Sequence, residues 1–197
     1  MSEEKQLSEE KYYPGLEGVI AGETAISSVL GGLQYRGHAI EDLAENTTFE
    51  EVAHLVLHGD LPTAAQLAAF KQRVAAAREV PKPVIEMLRL IPKEAPAMDV
   101  LRTGVSMLGH FDPEAEVGSH DANLRKAERL LARIPTLVAA RNRLKHGQEP
   151  IPPRADLGHA SNQLFMLSGK EPPAEHARAL DVSLILYTEH EFNASTF

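Results

Sequence analysis

Apolar residues recur at three- and four-residue steps through most of the chain, and this periodicity constrains the fold more than any other feature. In one segment Met98, Leu101, Val105 and Leu108 repeat in this way. Such spacing places apolar side chains along one face of a helix. Because the pattern begins after Gly37 and then continues, the sequence predicts a mainly α fold of packed helices.

Capping residues, glycines and prolines set the expected ends of these helices. Thr48 and Thr63 are expected N-caps, and Gly59 and Gly169 are expected to follow helix C-termini. Pro135 is expected to kink the longest helix. After a short turn at 40–44, the predicted helices cover residues 49–58, 64–79, 83–91, 97–110, 121–146, 157–167 and 174–192.

The first forty residues have a different pattern. Glycines divide residues 15–37 into short apolar pieces, and Gly31-Gly32 between two such pieces is typical of a β-hairpin. Residues 1–14 are rich in acidic side chains and are expected to form a mobile tail. The expected fold is therefore a mainly α, multi-helical fold with a short N-terminal β-hairpin region.

Composition excludes several classes of protein. The chain has no cysteine, so disulfides, thiolate nucleophiles and cysteine-ligated metals are excluded. A net charge of −8 without a basic patch argues against nucleic acid or a lipid surface as a partner. No apolar run approaches the ~20 residues that span a bilayer. The acidic N-terminus resembles no targeting signal, and a cytoplasmic location is expected.

The last predicted helix is unusually apolar. Residues 180–187 carry apolar side chains on nearly all sides, which is typical of a helix buried inside a larger structure. The sequence stops ten residues later, at the apolar Phe197. We therefore expect the chain to break off inside a fold and to expose a large apolar patch if it is alone.

Two side-chain groupings have alternative interpretations. His54 and His58 lie four residues apart, a spacing that metal ligands use, but no third ligand is evident nearby. A histidine stabilised by the dipole at the helix C-terminus is the favoured interpretation. Arg125, Arg129 and Arg133 form a row on the longest helix. Such a row is typical of a solvated or salt-bridged face, with an anion site as the alternative.

The segment after the apolar helix combines polar groups that need partners. His190 is followed within three residues by Glu191 and Asn193. Unpaired buried polar groups cost ~1–3 kcal/mol each. On pattern alone, the favoured interpretation is a helix C-terminus with a hydrogen-bonded histidine and an asparagine cap.

These residues also carry a resemblance. Residues 190–197, HEFNASTF, resemble the H-E-x-N-A-S-T-F motif of citrate synthases. Other pieces agree with that family in the same order: GLEGV at 15–19, YRGHAIEDLA at 35–44, FEEV at 49–52, LHGDLPT at 57–63, PAMDVLRTGVS at 96–106 and PIPP at 150–153. The chain is similar to the N-terminal half of a bacterial-type citrate synthase or 2-methylcitrate synthase.

The resemblance implies a domain assignment and a reaction. Residues 15–197 would form the N-terminal part of the large helical domain, and the small domain would be absent. The family condenses acetyl-CoA with oxaloacetate, and no further cofactor or metal is implied. His190 matches the histidine that binds a carboxylate of oxaloacetate, and Asn193 lies in the same motif. The family's homodimer would form through helices near 97–110 and 121–146.

The sequence lacks counterparts of several functional residues of the family. The catalytic aspartate, the two catalytic histidines and the carboxylate-binding arginines of the family follow the motif at 190–197. No catalytic residue is therefore expected in this chain, and the chain alone is expected to be inactive. It would be a truncated or proteolysed product, or one half of a split enzyme whose second chain is separate. The alternatives are a 2-methylcitrate synthase, which uses propionyl-CoA, and a non-catalytic helical dimerisation module.

Overall fold

The computed structural model describes residues 22–189. Within that range a small sheet is followed by helices that pack around two apolar clusters. The strands are β1 (Ser27–Ser28), β2 (Gln34–Tyr35) and β3 (His38–Ala39). The helices are α1 (Ile40–Asn46), α2 (Phe49–His58), α3 (Ala64–Ala76), α4 (Lys82–Leu90), α5 (Ala97–Gly109), α6 (His120–Lys145), α7 (His159–Ser168) and α8 (Ala174–Leu186). The predicted mainly α fold is confirmed.

The sheet is antiparallel in the order β1-β2-β3. The predicted hairpin joins β1 to β2, and Gly31 and Gly32 both have positive φ, 81° and 116°. A second, two-residue turn joins β2 to β3 through Arg36 and Gly37, with φ of 49° and 83°. Two positive φ values suit a tight turn whose twist matches the strands. The second hairpin was not foreseen.

Most helix bounds agree with the predicted ones to within a few residues. The Thr63 hydroxyl accepts the backbone N–H of Gln66 at 3.4 Å, as expected of an N-cap. However, α3 ends at Ala76 rather than at 79. The carbonyl of Arg78 accepts a hydrogen bond from the Thr136 hydroxyl at 2.9 Å, because the chain has already left the helical path.

Two other bounds were wrong. The short turn predicted near Ile40 is the seven-residue helix α1. Helix α8 ends at Leu186, so the predicted continuation to 192 fails already at residues 187–189, which are not helical. Residues 190–192 lie outside the described range.

Helix α6 connects the two apolar clusters. Its 26 residues continue through Pro135, and at 1.5 Å per residue they span roughly 39 Å. One cluster gathers β2, α1, α2, α3 and α8 around Ala132, and the other packs α4 and α5 against Leu137. At the α5–α6 crossing, a Cβ added to Gly104 would lie 3.3 Å from the Leu137 side chain, so only a small residue allows this approach.

None of the helices between residues 22 and 189 combines the length and the apolar character that a membrane span requires.

Candidate functional site at the C-terminal end of helix α8

The two residues that the sequence singles out for substrate binding, His190 and Asn193, lie outside the described residues. The structure does describe helix α8, which leads to them, and the three residues after that helix, up to Glu189. The site is therefore built from the contacts that fix α8, beginning in the middle of that helix.

Asp181 ties α8 to the start of α2. Its Oδ1 accepts the backbone N–H of Phe49 at 3.1 Å, and its Oδ2 pairs with Arg178 at 2.9 Å. Free N–H groups in the first turn of a helix favour such a carboxylate. Burial raises the pKa of Asp181, and the bonds from Phe49 and Arg178 work against that rise. The carboxylate thus joins two helices far apart in sequence.

Arg178 ties α8 to the end of α1. Its guanidinium donates to the carbonyl oxygens of Thr47 at 2.8 Å and Glu45 at 3.2 Å, and also to that of Ala44. Carbonyls at a helix C-terminus lack partners within the helix, and a cation suits their dipole. The pair of Asp181 and Arg178 thus contacts one helix N-terminus and one helix C-terminus.

The far end of α8 is fixed by Tyr35. Ile185 is fully buried in the first apolar cluster, and Tyr35 lies beside it with no exposed surface. The Tyr35 hydroxyl lies 3.1 Å from the carbonyl oxygen of Leu186 and 3.3 Å from that of Glu189, and its single O–H is shared between these two acceptors. Burial raises the pKa of Tyr35, so the phenol stays protonated and remains a donor.

A second buried polar cluster lies beside this helix, and the sequence analysis did not predict it. The Glu50 carboxylate accepts the backbone N–H of His159, at the start of α7, at 2.9 Å. Gly158 at the N-cap position has no side chain to fill that role, and this was the one available signal. Arg78 donates to the carbonyl of Leu157 at 2.9 Å. Burial lowers the pKa of His159 to about 4.

Cavities of about 270 and 580 Å³ open on either side of this cluster. Both are bordered by Glu50, Lys71 and Gly158. The walls combine the buried carboxylates of Glu50 and Asp181 with cationic and apolar groups, and they show no arrangement of nucleophile and base. The cluster therefore joins α2 to α7, and no reaction is assigned to it.

The histidine pair on α2 forms a structural contact. His58 Nε2 lies 3.3 Å from the Glu128 carboxylate, which also binds Arg73 through two hydrogen bonds of 2.8 Å. His54 Nδ1 lies 3.0 Å from the carbonyl oxygen of Asp60. Within residues 22–189 no group of three or more His, Cys, Asp or Glu side chains is placed to hold a metal ion.

The arginine row on α6 is mostly occupied by acidic partners. Arg129 pairs with Asp112 at 2.7 Å and with Glu114 at 2.9 Å, and Arg125 also pairs with Glu114. These acidic residues come from the loop after α5, so the row fixes that loop. Arg133 makes no ion pair within the described range, and its Nε is buried without a hydrogen bond there. The salt-bridged interpretation fits two of the three arginines.

A largely apolar groove of about 320 Å³ lies between α4, α5 and α6. Met98 on α5 borders it and is 73% exposed, and Val138 on α6 is 37% exposed. Exposed apolar residues that adjoin one another mark candidate surfaces for association. The groove lies on the two helices that the sequence predicts to form an interface.

Comparison with known proteins gives a consistent result. The family model described as "Citrate synthase, C-terminal domain" matches residues 15–197. A "2-methylcitrate synthase" of Shewanella oneidensis is 47% identical over 100% of this chain and 52% of its own length. A "Citrate synthase" of Acidithiobacillus ferridurans is 44% identical over 97% of this chain and 52% of its own length. The chain thus spans about half the length of the curated relatives it matches.

Solved structures agree. Citrate synthase from Pyrobaculum aerophilum superposes with a TM-score of 0.87 at 38% identity, over 92% of this chain and 48% of that one. The ternary complex of citrate synthase from Thermoplasma acidophilum with carboxymethyl coenzyme A and oxaloacetate superposes with a TM-score of 0.85 at 26% identity. That match covers 91% of this chain and 48% of the other.

Proposed function

This chain belongs to the citrate synthase family, and we propose that it supplies the oxaloacetate-binding histidine of an enzyme that joins acetyl-CoA to oxaloacetate. One structural observation carries the proposal. The segment directly before His190 is fixed to the core by Asp181, Arg178 and Tyr35. A ligand-binding side chain is effective when the backbone that carries it is held in place.

His190 would bind a carboxylate of oxaloacetate. An imidazole N–H, or an imidazolium, donates a charge-assisted hydrogen bond to such a group. Asn193, three residues on, would help to shape the same pocket. The named ligands of the Thermoplasma acidophilum structure, carboxymethyl coenzyme A and oxaloacetate, support this choice of substrates.

The reaction requires more groups than these. A base removes a proton from the acetyl methyl group, the resulting carbon attacks the ketone carbon of oxaloacetate, and water then cleaves the thioester to release CoA. General acid–base catalysis needs a group within hydrogen-bond reach of the transferred proton. We assign that group to sequence beyond the motif at 190–197, so the 197-residue chain alone is expected to show no turnover.

The acyl donor has two candidates. Citrate synthases and 2-methylcitrate synthases are similar to this chain at 44% and 47% identity. We propose acetyl-CoA, with propionyl-CoA as the alternative. The ratio of kcat/KM for the two thioesters distinguishes them, because an extra methylene in a closed pocket changes this ratio about 10- to 200-fold.

The test is made in the completed enzyme, which we define as this chain joined to the second half of the Shewanella oneidensis relative. His190→Ala removes a charge-assisted hydrogen bond, so KM for oxaloacetate should rise about 10- to 100-fold. KM for the acyl-CoA should change little. His176→Ala, on the exposed side of α8, is the matched control. Equal and small effects on both substrates would contradict the proposal.

We further propose that the chain forms a homodimer through α5 and α6, the helices at 97–110 and 121–146 in the prediction. The exposed Met98 and the apolar groove beside it support this assignment. A second chain carrying the remaining family sequence is an additional candidate partner. A non-catalytic dimerisation module would share the dimer but would stay inactive in the completed enzyme.

A further inference from the structure

Helix α8 ends differently from two of the helices that pack against it, α2 and α7. Helices α2 and α7 end at Gly59 and Gly169, whose φ values are 100° and 79°. In each case the glycine N–H bonds back to a helical carbonyl, at 2.9 and 2.8 Å. At the same position α8 carries Tyr187, which has no left-handed backbone. Backbone N–H groups after the helix bond back to two of the last α8 carbonyls at 3.2 Å, and side chains bond to two others.

The donors to those two other carbonyls are side-chain hydroxyls. Thr188 donates locally to the carbonyl of Leu184 at 2.7 Å. Tyr35, which precedes this segment by some 150 residues, donates to Leu186 at 3.1 Å and to Glu189 at 3.3 Å. The second acceptor lies past the helix, so the contact also fixes the chain after α8.

The Glu189 carbonyl has a particular significance because it belongs to the peptide group that begins His190. A peptide group is planar, so a hydrogen bond to its oxygen also orients its nitrogen and the next Cα. The contact with Tyr35 thus holds the last carbonyl of the described chain, directly before His190.

Tyr35 is itself held firmly. It has no exposed surface, and it pairs with Ser27 on one side and His38 on the other in the sheet. The next residue, Arg36, has a φ of 49°, a left-handed backbone that is unfavourable for a non-glycine residue. Its guanidinium reaches the carbonyl of Val56 in α2 at 3.2 Å, which stabilises this turn. The hydroxyl is therefore presented from a fixed position.

We propose that Tyr35 is a positioning residue, whose hydroxyl holds the backbone at Glu189 and so supports the binding of the oxaloacetate carboxylate by the next residue, His190. This inference rests on the role proposed above for His190. Tyr35 does not contact the substrate in this scheme. Its effect passes through one backbone carbonyl, so it should alter substrate affinity far more than the chemical step.

The first test measures amide hydrogen exchange of the 197-residue chain. Tyr35→Phe keeps the buried ring and removes the hydroxyl, so the amides of Tyr187 and Thr188 should exchange about five- to tenfold faster. Amides in the middle of α2 should keep their rates. Tyr187→Phe removes a hydroxyl from a ring at the same helix end that is 74% exposed, and it should change nothing. Unchanged exchange in Tyr35→Phe, or equal acceleration everywhere, would overturn the inference.

The second test uses the completed enzyme. Tyr35→Phe should raise KM for oxaloacetate about five- to tenfold, with less than a twofold change in kcat and in KM for the acyl-CoA. In the double variant with His190→Ala, Tyr35→Phe should have no further effect, because its action passes through His190. A purely structural role predicts additive losses instead.

The two hypotheses fail in different ways. If His190→Ala leaves KM for oxaloacetate unchanged, the proposed function of His190 is wrong. If His190→Ala raises KM but Tyr35→Phe does not, the binding role stands and the positioning role of Tyr35 is wrong.

Discussion

At the scale of single residues, His159 couples the fold to pH. Its ring is 4% exposed and lies against Phe49, with 4.9 Å between the ring centres. Burial is the largest cause of its lowered pKa of about 4, the Glu50 carboxylate opposes that shift, and the Arg78 guanidinium adds to it. The neutral imidazole is therefore the form that the folded protein favours.

This shift predicts a loss of stability in weak acid. The unfolded chain binds a proton at His159 near pH 6.5, whereas the folded chain binds it only near pH 4. The free energy of unfolding should therefore fall as pH drops between these values, by about 3 kcal/mol at most from this group. Above pH 6.5 the contribution is fully present. Urea unfolding at a series of pH values measures it.

His159→Gln isolates this contribution from that of the carboxyl groups. Whatever its stability at pH 8, the variant should lose less stability than the parent between pH 6.5 and 4. His176→Gln, at an exposed position on α8, should keep the parent slope. Identical slopes for all three proteins would show that His159 does not titrate in this way.

At the scale of elements, a glycine that follows a helix and a glycine within a helix differ in backbone conformation. Gly169 has a φ of 79°, and a Cβ there would lie 3.1 Å from Ile151. Gly109 is the last residue of α5, has no positive φ, and has open space where a Cβ would be. The same substitution should therefore have opposite consequences at the two positions.

Gly169→Ala is expected to lower the free energy of unfolding by about 1–2 kcal/mol, because alanine resists the left-handed backbone and crowds Ile151. Gly109→Ala should leave stability unchanged or raise it by up to ~1 kcal/mol, because alanine loses less backbone entropy in a helix. Denaturant unfolding of the two variants and the parent measures these changes, because a shifted midpoint with an unchanged m-value reports a change in the free energy of unfolding. A destabilised Gly109→Ala variant would contradict this account.

At the scale of the whole molecule, exposed apolar side chains occur at several places among the described residues. Met98 beside the α4–α5–α6 groove is 73% exposed, and Leu186 and Tyr187 at the end of α8 are 46% and 74% exposed. The expectation that the chain alone exposes a large apolar patch at α8 stays a prediction. Each such surface is a candidate contact for another chain or segment.

The proposed dimer gives a direct prediction. Met98→Asp places a charge in the α5–α6 surface, so the 21.5 kDa variant should sediment as a monomer, whereas the parent chain is expected to sediment as a dimer. Leu90→Asp is the matched control, because Leu90 is 84% exposed on α4 but does not border the groove. Analytical ultracentrifugation distinguishes the two. A monomeric parent, or dissociation by both variants equally, would contradict the assignment to α5 and α6.

Several expectations stay predictions. They are the mobile tail at 1–14, the domain assignment of 15–197, the cytoplasmic location, and the roles of His190 and Asn193. His190 and Asn193 belong to the motif on which the resemblance to the family rests, although both residues lie outside the described range. Local sequence was sufficient to recognise the family, because several short motifs in a fixed order are specific by themselves. This holds even for residues whose structure is not described.

The sequence by itself determined the helices, their capping residues and the family. These depend on interactions between residues close together in the chain, such as the contact between Thr63 and Gln66 at the start of α3. Helix periodicity and capping need only four or five neighbouring residues, and they can be read from a single sequence.

Only the tertiary structure decided how α8 is held and where it ends. Tyr35, Asp181 and Arg178 act on backbone groups more than 130 residues away in the sequence. No local pattern encodes such partners, because a buried donor requires some acceptor but its sequence does not specify which one. The helix predicted to run to 192 stops at Leu186, and the Tyr35 hydroxyl contacts the carbonyls of Leu186 and Glu189 at that point.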